Sequence, residues 1–349
     1  MPNYFPAEWH PQQAIQLTWP HKDTDWAWII DETLDFYHKL AKTILSLQDL
    51  IISVPNASLK SELESSFKNS KFRCHIYICP NNDTWTRDHG PISVFSGGYL
   101  NVQNYVFNGW GNKFEASLDN QITPTLFKKG AYGSATLTNF NLILEGGSIE
   151  SDGKGSVLTT KRCLLNKNRN PSYSQSSIEA LLRQQLGCEN ILWLEHGDLI
   201  GDDTDAHVDT LARFTPNNGI VFQGCQKAED EHFSDLNKMK QQLLTFKNTQ
   251  GQLYNLFELP LPDAIYEDFG TPSQQRLPAS YANFLILNKT VLLPIYNVPQ
   301  DELAVKVLSK AMPEHDIIPI DCTLLIRQYG SLHCITMQIP TSTKVPSKA

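Results

Sequence analysis

The chain is organised around one stretch near its C-terminus, Gly330-Ser331-Leu332-His333-Cys334-Ile335-Thr336. A single cysteine in such a position is often an inert core residue, but three earlier polar stretches favour a catalytic role for Cys334. These stretches are Trp85-Thr86-Arg87-Asp88-His89-Gly90-Pro91, Glu145-Gly146-Gly147 and Gly201-Asp202-Asp203-Thr204-Asp205-Ala206-His207-Val208-Asp209. A thiol, a histidine and several carboxylates are together typical of nucleophilic catalysis on a planar, cationic substrate.

A helix followed by a strand and then a polar motif recurs five times along the chain. The helices are predicted near residues 57–68, 117–128, 174–186, 232–246 and 300–312, and the strands at 72–79, 140–144, 191–194, 253–257 and 316–320. The motifs that follow these strands lie at 85–91, 145–147, 202–209, 280–284 and 334. A further helix at 31–48 and a strand at 50–54 come before the first repeat. The helix starts are about 60 residues apart, which indicates an internal repeat.

The repeat predicts an α/β fold in which each unit delivers one polar motif after its strand. The loop after a strand is where α/β folds place their chemistry. Five units arranged around one axis would bring motifs from distant parts of the chain into one pocket. Any α/β chain alternates helices and strands, but the matching position of the motif in every unit favours a true repeat.

The composition predicts one globular domain over residues 1–349, since no segment has the character of a linker. With 41% hydrophobic and 19% charged residues, the chain can bury a large core. The formal net charge of −8 argues against a nucleic-acid surface, which needs clustered lysine and arginine. The same acidity suits a positively charged small-molecule substrate.

Seven cysteines lie scattered along the chain without paired spacing, which predicts reduced thiols and a cytoplasmic location. The first residues have neither the basic region nor the apolar region of a secretory signal. No stretch approaches the roughly 18 uncharged apolar residues of a membrane span. We therefore expect no membrane association.

Taken together, these motifs resemble the agmatine deiminase family of guanidino-group-modifying enzymes, which is related to bacterial-type peptidylarginine deiminase. The resemblance runs almost end to end, through Pro6-Ala7-Glu8-Trp9, Trp19-Pro20-His21, Asn82-Asp83-Thr84-Trp85-Thr86-Arg87-Asp88, Phe107-Asn108-Gly109-Trp110-Gly111, Glu145-Gly146-Gly147-Ser148-Ile149, Asn168-Arg169-Asn170-Pro171, residues 201–209, Ala279-Ser280-Tyr281-Ala282-Asn283-Phe284 and His333-Cys334-Ile335-Thr336. It implies a five-bladed, pseudo-symmetric α/β propeller, a homodimer or higher homo-oligomer, and no cofactor. Many family members have a run of glycines before the nucleophile, whereas this chain has Tyr329, which we expect to reshape the mouth of the pocket.

The resemblance implies hydrolysis of agmatine to N-carbamoylputrescine and ammonia, a step of putrescine and polyamine biosynthesis. A guanidinium presents a fork of N–H donors that matches carboxylates, and Asp88 and Asp209 are predicted to bind it. Cys334 as a thiolate would attack the guanidinium carbon and form an S-amidino intermediate. His207 would donate a proton to the departing ammonia and then accept one from the hydrolytic water.

The remaining predicted roles concern neighbours of these groups. If residues 207–209 are extended, His207 and Asp209 point to the same face, and Arg87 likewise points away from Asp88. Glu145 is predicted to hydrogen-bond His207. Trp85 and Asp203 are predicted to bind the alkyl chain and amine of agmatine.

Each of these residues also has a structural interpretation. Asp88 is alternatively a surface partner of Arg87, Glu145 a member of a structural ion pair, Trp85 a core residue and Asp203 a loop-stabilising residue. His89 and His333 flank the proposed active residues and are interpreted as packing or supporting groups.

The sequence lacks the patterns of several other functional sites. Residues 203–214 lack the glycine and glutamate of a calcium loop, the glycines after Glu145 do not have dinucleotide-binding spacing, and no Cys/His spacing predicts zinc. The alternatives that stay open are a peptidylarginine or free-arginine deiminase, an amidinotransferase, and a non-catalytic binder of polyamines or guanidines. A binder needs no thiol, so the combination of Cys334 with His207 and two carboxylates disfavours it.

Overall fold

A computed structural model of the protein describes residues 3–270 and 274–342. The chain forms two compact units. Unit 1 comprises Met1–Phe5, His10–Gly146 and Cys334–Ala349, and unit 2 comprises Pro6–Trp9 and Gly147–His333. Within the described ranges, no helix has both the length and the apolar character needed to cross a membrane.

Unit 1 contains seven strands and four α-helices in its described residues, besides a turn at Gly109–Asn112 whose interior backbone is not helical. The strands are β1 (Gln12–Thr18), β2 (Asp49–Val54), β3 (Cys74–Ile78), β4 (Ile92–Ser96), β5 (Tyr99–Val106), β6 (Thr136–Ile143) and β18 (Thr336–Pro340). The helices are α1 (Ile30–Leu45), α2 (Ala57–Phe67), α3 (Thr86–His89) and α4 (Ile122–Lys128), with short 3-10 turns at Ala27–Ile29 and Asp119–Gln121.

Unit 2 contains the other eleven strands and four α-helices of the described ranges. The strands are β7 (Ile149–Ser151), β8 (Ser156–Thr160), β9 (Asn190–Leu194), β10 (Ala212–Thr215), β11 (Gly219–Gln223), β12 (Asn255–Leu259), β13 (Tyr266–Glu267), β14 (Gln275–Arg276), β15 (Leu285–Leu287), β16 (Thr290–Ile295) and β17 (Asp316–Asp321). The helices are α5 (Lys161–Leu164), α6 (Gln175–Leu186), α7 (Phe233–Leu243) and α8 (Asp301–Ala311), and 3-10 turns lie at Val208–Thr210 and Leu325–Gln328.

The same small sheet recurs five times in the described residues. An antiparallel pair of strands is followed by a helix and then by a third strand that pairs in parallel with the second. Unit 1 contains the sheets β18-β1-β2-β3 and β4-β5-β6, and unit 2 contains β7-β8-β9, β10-β11-β12 and β15-β16-β17. The predicted mixed α/β fold agrees with this arrangement. The predicted first repeat is wrong, because the first unit uses α1 and β2, which were expected to precede it, while α2 and β3 add a fourth strand to that sheet.

Local sequence explains the boundaries of these repeats. The Asn56 side chain accepts a hydrogen bond from the Leu59 amide at 3.0 Å and thereby caps α2. The β4–β5 hairpin turns through Gly97 and Gly98, both at positive φ, because a two-residue hairpin requires left-handed backbone there. The helix predicted at 117–128 is shorter than expected, with a 3-10 turn at Asp119–Gln121 before α4.

Each unit has its own apolar core between its strands and helices. In unit 1 the core includes Ile51, Val102, Leu126, Met337 and Ile339. In unit 2 it includes Leu192, Phe214, Phe222, Leu236 and Met239. The polar motifs follow the strands that these cores hold in place.

Candidate active site

In unit 1, Asp88 lies on a single helical turn, α3, directly after Trp85. Its side chain is 4% exposed, and its Oδ2 accepts a hydrogen bond from Trp110 Nε1 at 2.9 Å. Trp110 has a left-handed backbone with φ of 55°, and the Asn108 side chain holds this turn by accepting from the Gly111 amide at 2.9 Å. The motif at 107–111 therefore positions an indole N–H that orients Asp88.

Three of the sequence motifs meet at the backbone of Arg87. The Arg87 amide donates to the Cys334 carbonyl at 3.0 Å. Gly146 lies against the Arg87 carbonyl so closely that a Cβ on residue 146 would be 2.2 Å from that oxygen. Unit 1 thus brings together the chain segments that carry Asp88, Glu145 and Cys334. Glu145 is fully buried and Cys334 is 5% exposed.

The Arg87 side chain binds the last strand of unit 1. Its Nη1 donates to Gln338 Oε1 at 2.7 Å and lies 3.5 Å from the Met337 sulfur. The side chains of Asp88 and Arg87 therefore have different partners, Trp110 for Asp88 and Gln338 for Arg87. The extended backbone expected at 87–88 is wrong, because Thr86–His89 is a helical turn.

Trp85 is fixed by neighbours within unit 1. Its Nε1 donates to Asp83 Oδ2 at 2.9 Å, and its ring lies 5.8 Å from the Trp26 ring and 6.4 Å from the Trp110 ring. Burial, together with the charges of Asp25 and another nearby aspartate, raises the pKa of Asp83 well above its usual range. Contact of Trp85 with a substrate chain stays a prediction.

In unit 2, a strained loop precedes His207. Asp205 and Ala206 have φ of 67° and 64°, a left-handed conformation that costs about 1–3 kcal/mol per non-glycine residue. Arg169 offsets this cost by donating to Asp205 Oδ2 at 2.7 Å and to the Thr204 carbonyl at 2.8 Å. Asp202 Oδ2 accepts from the Ala206 amide at 2.6 Å. The motif at 168–171 thus supplies an arginine that locks the loop.

His207 and Asp209 are both buried in unit 2, with exposures of 1% and 0%. The extended segment expected at 207–209 is wrong, since Val208–Thr210 is a 3-10 turn. Burial alone would raise the pKa of Asp209, but the hydrogen bond and charge of His333, with further contributions from His207 and Arg213, hold it below its usual value. Asp209 is therefore a carboxylate at neutral pH.

Asp209 belongs to a buried charge network that the sequence did not predict. His333 Nδ1 lies 2.7 Å from Asp209 Oδ2, and His333 Nε2 lies 2.6 Å from Glu8 Oε2. Arg213 donates to Glu8 at 2.7 Å and to Glu150 at 2.8 Å. Glu8 lies in the N-terminal motif Pro6-Ala7-Glu8-Trp9, for which the sequence predicted no role. The only sequence signal for such a role is that Glu8 is a charged residue between apolar ones.

Tyr329 and Asp203 are both half-buried residues of unit 2. Tyr329 has φ of 63°, where glycine is favoured, and its hydroxyl donates to Gln275 Oε1 at 3.3 Å. Partial burial and the nearby charge of Asp203 raise the pKa of Tyr329.

Comparison with known proteins identifies relatives over nearly the whole chain. The family model described as Porphyromonas-type peptidyl-arginine deiminase matches residues 4–340. A Legionella pneumophila protein provisionally named an agmatine deiminase is 34% identical over 98% of this chain and 96% of its own length. The agmatine deiminase of Pseudomonas syringae is 30% identical over 98% of this chain and 96% of its own length.

A solved structure has the same fold. It is a C. jejuni agmatine deiminase variant in which a cysteine is replaced by serine, with substrate bound. It is 37% identical, covers 98% of this chain and 97% of its own, and superposes with a TM-score of 0.89.

Proposed function

Because the chain belongs to the Porphyromonas-type peptidyl-arginine deiminase family, we propose that its buried thiol and carboxylates form the active site of an agmatine deiminase. The enzyme hydrolyses agmatine to N-carbamoylputrescine and ammonia. Relatives that match nearly the full length carry this activity in their names. The residues assigned below are our proposal for this chain.

One observation carries most of the proposal. In unit 1 the turn bearing Asp88, the segment bearing Glu145 and the backbone of Cys334 meet at Arg87. A cysteine that only packs would not need two buried carboxylates on adjoining segments, because burying a charge is costly. A thiol that attacks a cationic substrate does need such carboxylates near it, because their negative charge stabilises cations in the site.

Substrate binding requires carboxylates on a guanidinium. Asp88 is held by the Trp110 indole through Oδ2, and Asp209 is held by His333 through its own Oδ2. We assign these two side chains to the guanidinium, since paired carboxylates match its N–H groups. Their negative charge keeps the substrate cationic, which makes its central carbon more electrophilic.

Catalysis then proceeds through a covalent intermediate. The Cys334 thiolate forms a bond to the guanidinium carbon, and the C–N bond to one terminal nitrogen breaks as His207 protonates the departing ammonia. Water adds to the resulting S-amidino-cysteine while His207 accepts its proton. Collapse of this adduct releases the thiolate and N-carbamoylputrescine. Glu145 is assigned to support the protonated form of His207.

The far end of agmatine carries a primary amine. We assign Trp85 to the alkyl chain and Asp203 to the ammonium group. The left-handed Tyr329 stands where many relatives have glycine, and we assign it to the entrance on the Asp203 side, because the Asp203 charge already acts on its hydroxyl.

The repeats and the free thiols support proposals about the domain organisation and the cellular location. We propose that residues 1–349 form one catalytic domain in which the five sheets are the blades of an α/β propeller. We propose a homodimer or higher homo-oligomer that acts in putrescine biosynthesis. The seven free cysteines suit a reducing cytoplasm.

The proposed function is tested by measuring ammonia release from agmatine, free arginine and a blocked arginine peptide. We expect turnover of agmatine. Turnover of the peptide alone would assign a peptidylarginine deiminase. Release of putrescine together with a guanidino product of an added amine, without ammonia, would assign an amidinotransferase, and binding without any reaction would assign a non-catalytic binder.

A further inference from the structure

His333 is held between two buried carboxylates in unit 2. Its Nδ1 is 2.7 Å from Asp209 Oδ2 and its Nε2 is 2.6 Å from Glu8 Oε2. All three side chains are at most 4% exposed. Bonds this short between a ring nitrogen and a carboxylate are typical of charge-assisted hydrogen bonds.

The geometry determines the charge of the ring. A neutral imidazole has one N–H donor, whereas each nitrogen here faces a carboxylate oxygen. Glu8 accepts from the Ile286 amide at 2.7 Å through Oε1 and from Arg213 at 2.7 Å through Oε2, so it is an ionised acceptor. His333 is therefore an imidazolium that donates to both carboxylates.

These bonds leave one oxygen of Asp209 unused. The Oδ1 atom of Asp209 is fully buried and accepts no hydrogen bond from the described residues. A buried carboxylate oxygen without a donor is costly, so one acceptor remains for the N–H of a cationic ligand.

We propose that His333 is a positioning residue, which with Glu8 behind it fixes the Asp209 carboxylate so that Oδ1 receives a guanidinium N–H. This inference rests on the proposed function. The backbone supports the same arrangement, because the His333 amide donates to Asn283 Oδ1 at 2.9 Å and Asn283 Nδ2 donates to the Asp209 carbonyl at 3.3 Å. Both ends of the His333–Asp209 bond are thereby anchored to one residue.

Two substitutions separate positioning from packing. An asparagine amide reaches the place of the histidine Nδ1, so His333→Asn keeps a donor for Asp209. A glutamine amide reaches the place of Nε2, so His333→Gln keeps a donor for Glu8 only. We expect kcat/KM for agmatine to fall about tenfold in His333→Asn and at least about a hundredfold in His333→Gln. Packing alone would favour glutamine, which is closer to histidine in size.

A third variant separates charge from orientation. In Glu8→Gln the ring still donates to Asp209 through Nδ1 but loses the negative charge beside Nε2 that favours its protonated form. We expect the acid limb of the kcat/KM profile to move upward by roughly one pH unit, because Asp209 loses the cation beside it. The position of this limb does not depend on how much protein folds, so it decides the question even if His333→Gln does not fold.

The outcomes distinguish the inference from the function. Absence of ammonia release from agmatine by the unaltered protein would overturn the proposed function. An active protein in which His333→Gln equals or exceeds His333→Asn, or in which Glu8→Gln leaves the acid limb unmoved, would overturn the positioning role. The same two substitutions at His75, whose ring is 41% exposed and 3.5 Å from Asp49, serve as the control and should give a ratio near one.

Discussion

Replacing Gly146 with alanine tests whether the motifs meet at Arg87 as described. A Cβ at residue 146 would lie 2.2 Å from the Arg87 carbonyl oxygen and 2.8 Å from the Met337 methyl group. The methyl group belongs to a flexible side chain and can move away. The carbonyl oxygen is backbone, and reaching an ordinary contact of about 3.4 Å requires a displacement of about 1 Å.

This displacement determines the size of the effect. The Arg87 amide is bonded to the Cys334 carbonyl, so movement of Arg87 moves the nucleophile segment and Asp88 together. A misplacement of about 1 Å typically costs about a hundredfold in rate. Overpacking of this kind also destabilises by about 1–3 kcal/mol. We therefore expect kcat/KM to fall about a hundredfold with a moderate loss of thermal stability.

The assay is steady-state ammonia release, combined with thermal unfolding of the same samples. Gly98→Ala is the control for the steric overlap, because nothing lies within 4 Å of an added Cβ there, while its φ of 86° adds a backbone strain that Gly146 does not have. It carries the backbone penalty of alanine without a steric overlap, so its activity should change less than about twofold. Unaltered activity and stability in Gly146→Ala would refute the proposed contact between these segments.

The other predictions concern the reaction, its specificity and its pH dependence. Cys334→Ala should abolish ammonia release while agmatine still raises the unfolding temperature, and a tenth of the original turnover would rule out this nucleophile. His207→Gln should stop turnover and leave an S-amidino adduct detectable by mass spectrometry, whereas normal turnover would move the acid–base role elsewhere. Agmatine should be preferred over free arginine by at least about thirtyfold in kcat/KM, since a carboxylate in an acidic site meets repulsion, and a selective loss of arginine turnover in Arg87→Ala would contradict this. Burial lowers the pKa of His89 to about 3 from 6.5, so its contribution to folding is complete above pH 6.5 and decreases as the pH falls toward 3. His89→Phe should therefore gain about 2 kcal/mol of stability relative to the original protein between pH 8 and pH 5, and an equal difference at both pH values would contradict a buried neutral ring.

The repeats were predictable because each is encoded locally. Asn56 caps a helix by its own side chain, and each apolar strand is short and bounded by polar residues, so helix starts and strand order followed from periodicity. The family prediction is confirmed by a family match over residues 4–340. It could be made from the sequence because its motifs are spread over the whole chain. The backbone at 87–88 and 207–209 was predicted wrongly, since alternation was assumed where single helical turns occur.

The buried charge network that contains Asp209 could not be predicted from the sequence, because its members are far apart along the chain. Glu8 and His333 are 325 residues apart, and no local pattern specifies that two such side chains share a hydrogen bond. The sequence predicted for His333 only a packing or supporting role. Its role follows from the two carboxylates that face it.

The pairing of the first and last strands has a consequence for protein synthesis. β1 (Gln12–Thr18) pairs antiparallel with β18 (Thr336–Pro340), and the Thr341 amide donates to the Pro11 carbonyl at 2.9 Å. Until residues 336–340 leave the ribosome, β1 has one unpaired edge, and such edges promote aggregation. Contacts of this sequence separation form slowly and late. The strand directly after Cys334 is also the one that completes this sheet, so a nascent chain lacks both until residues 334–340 have been synthesised.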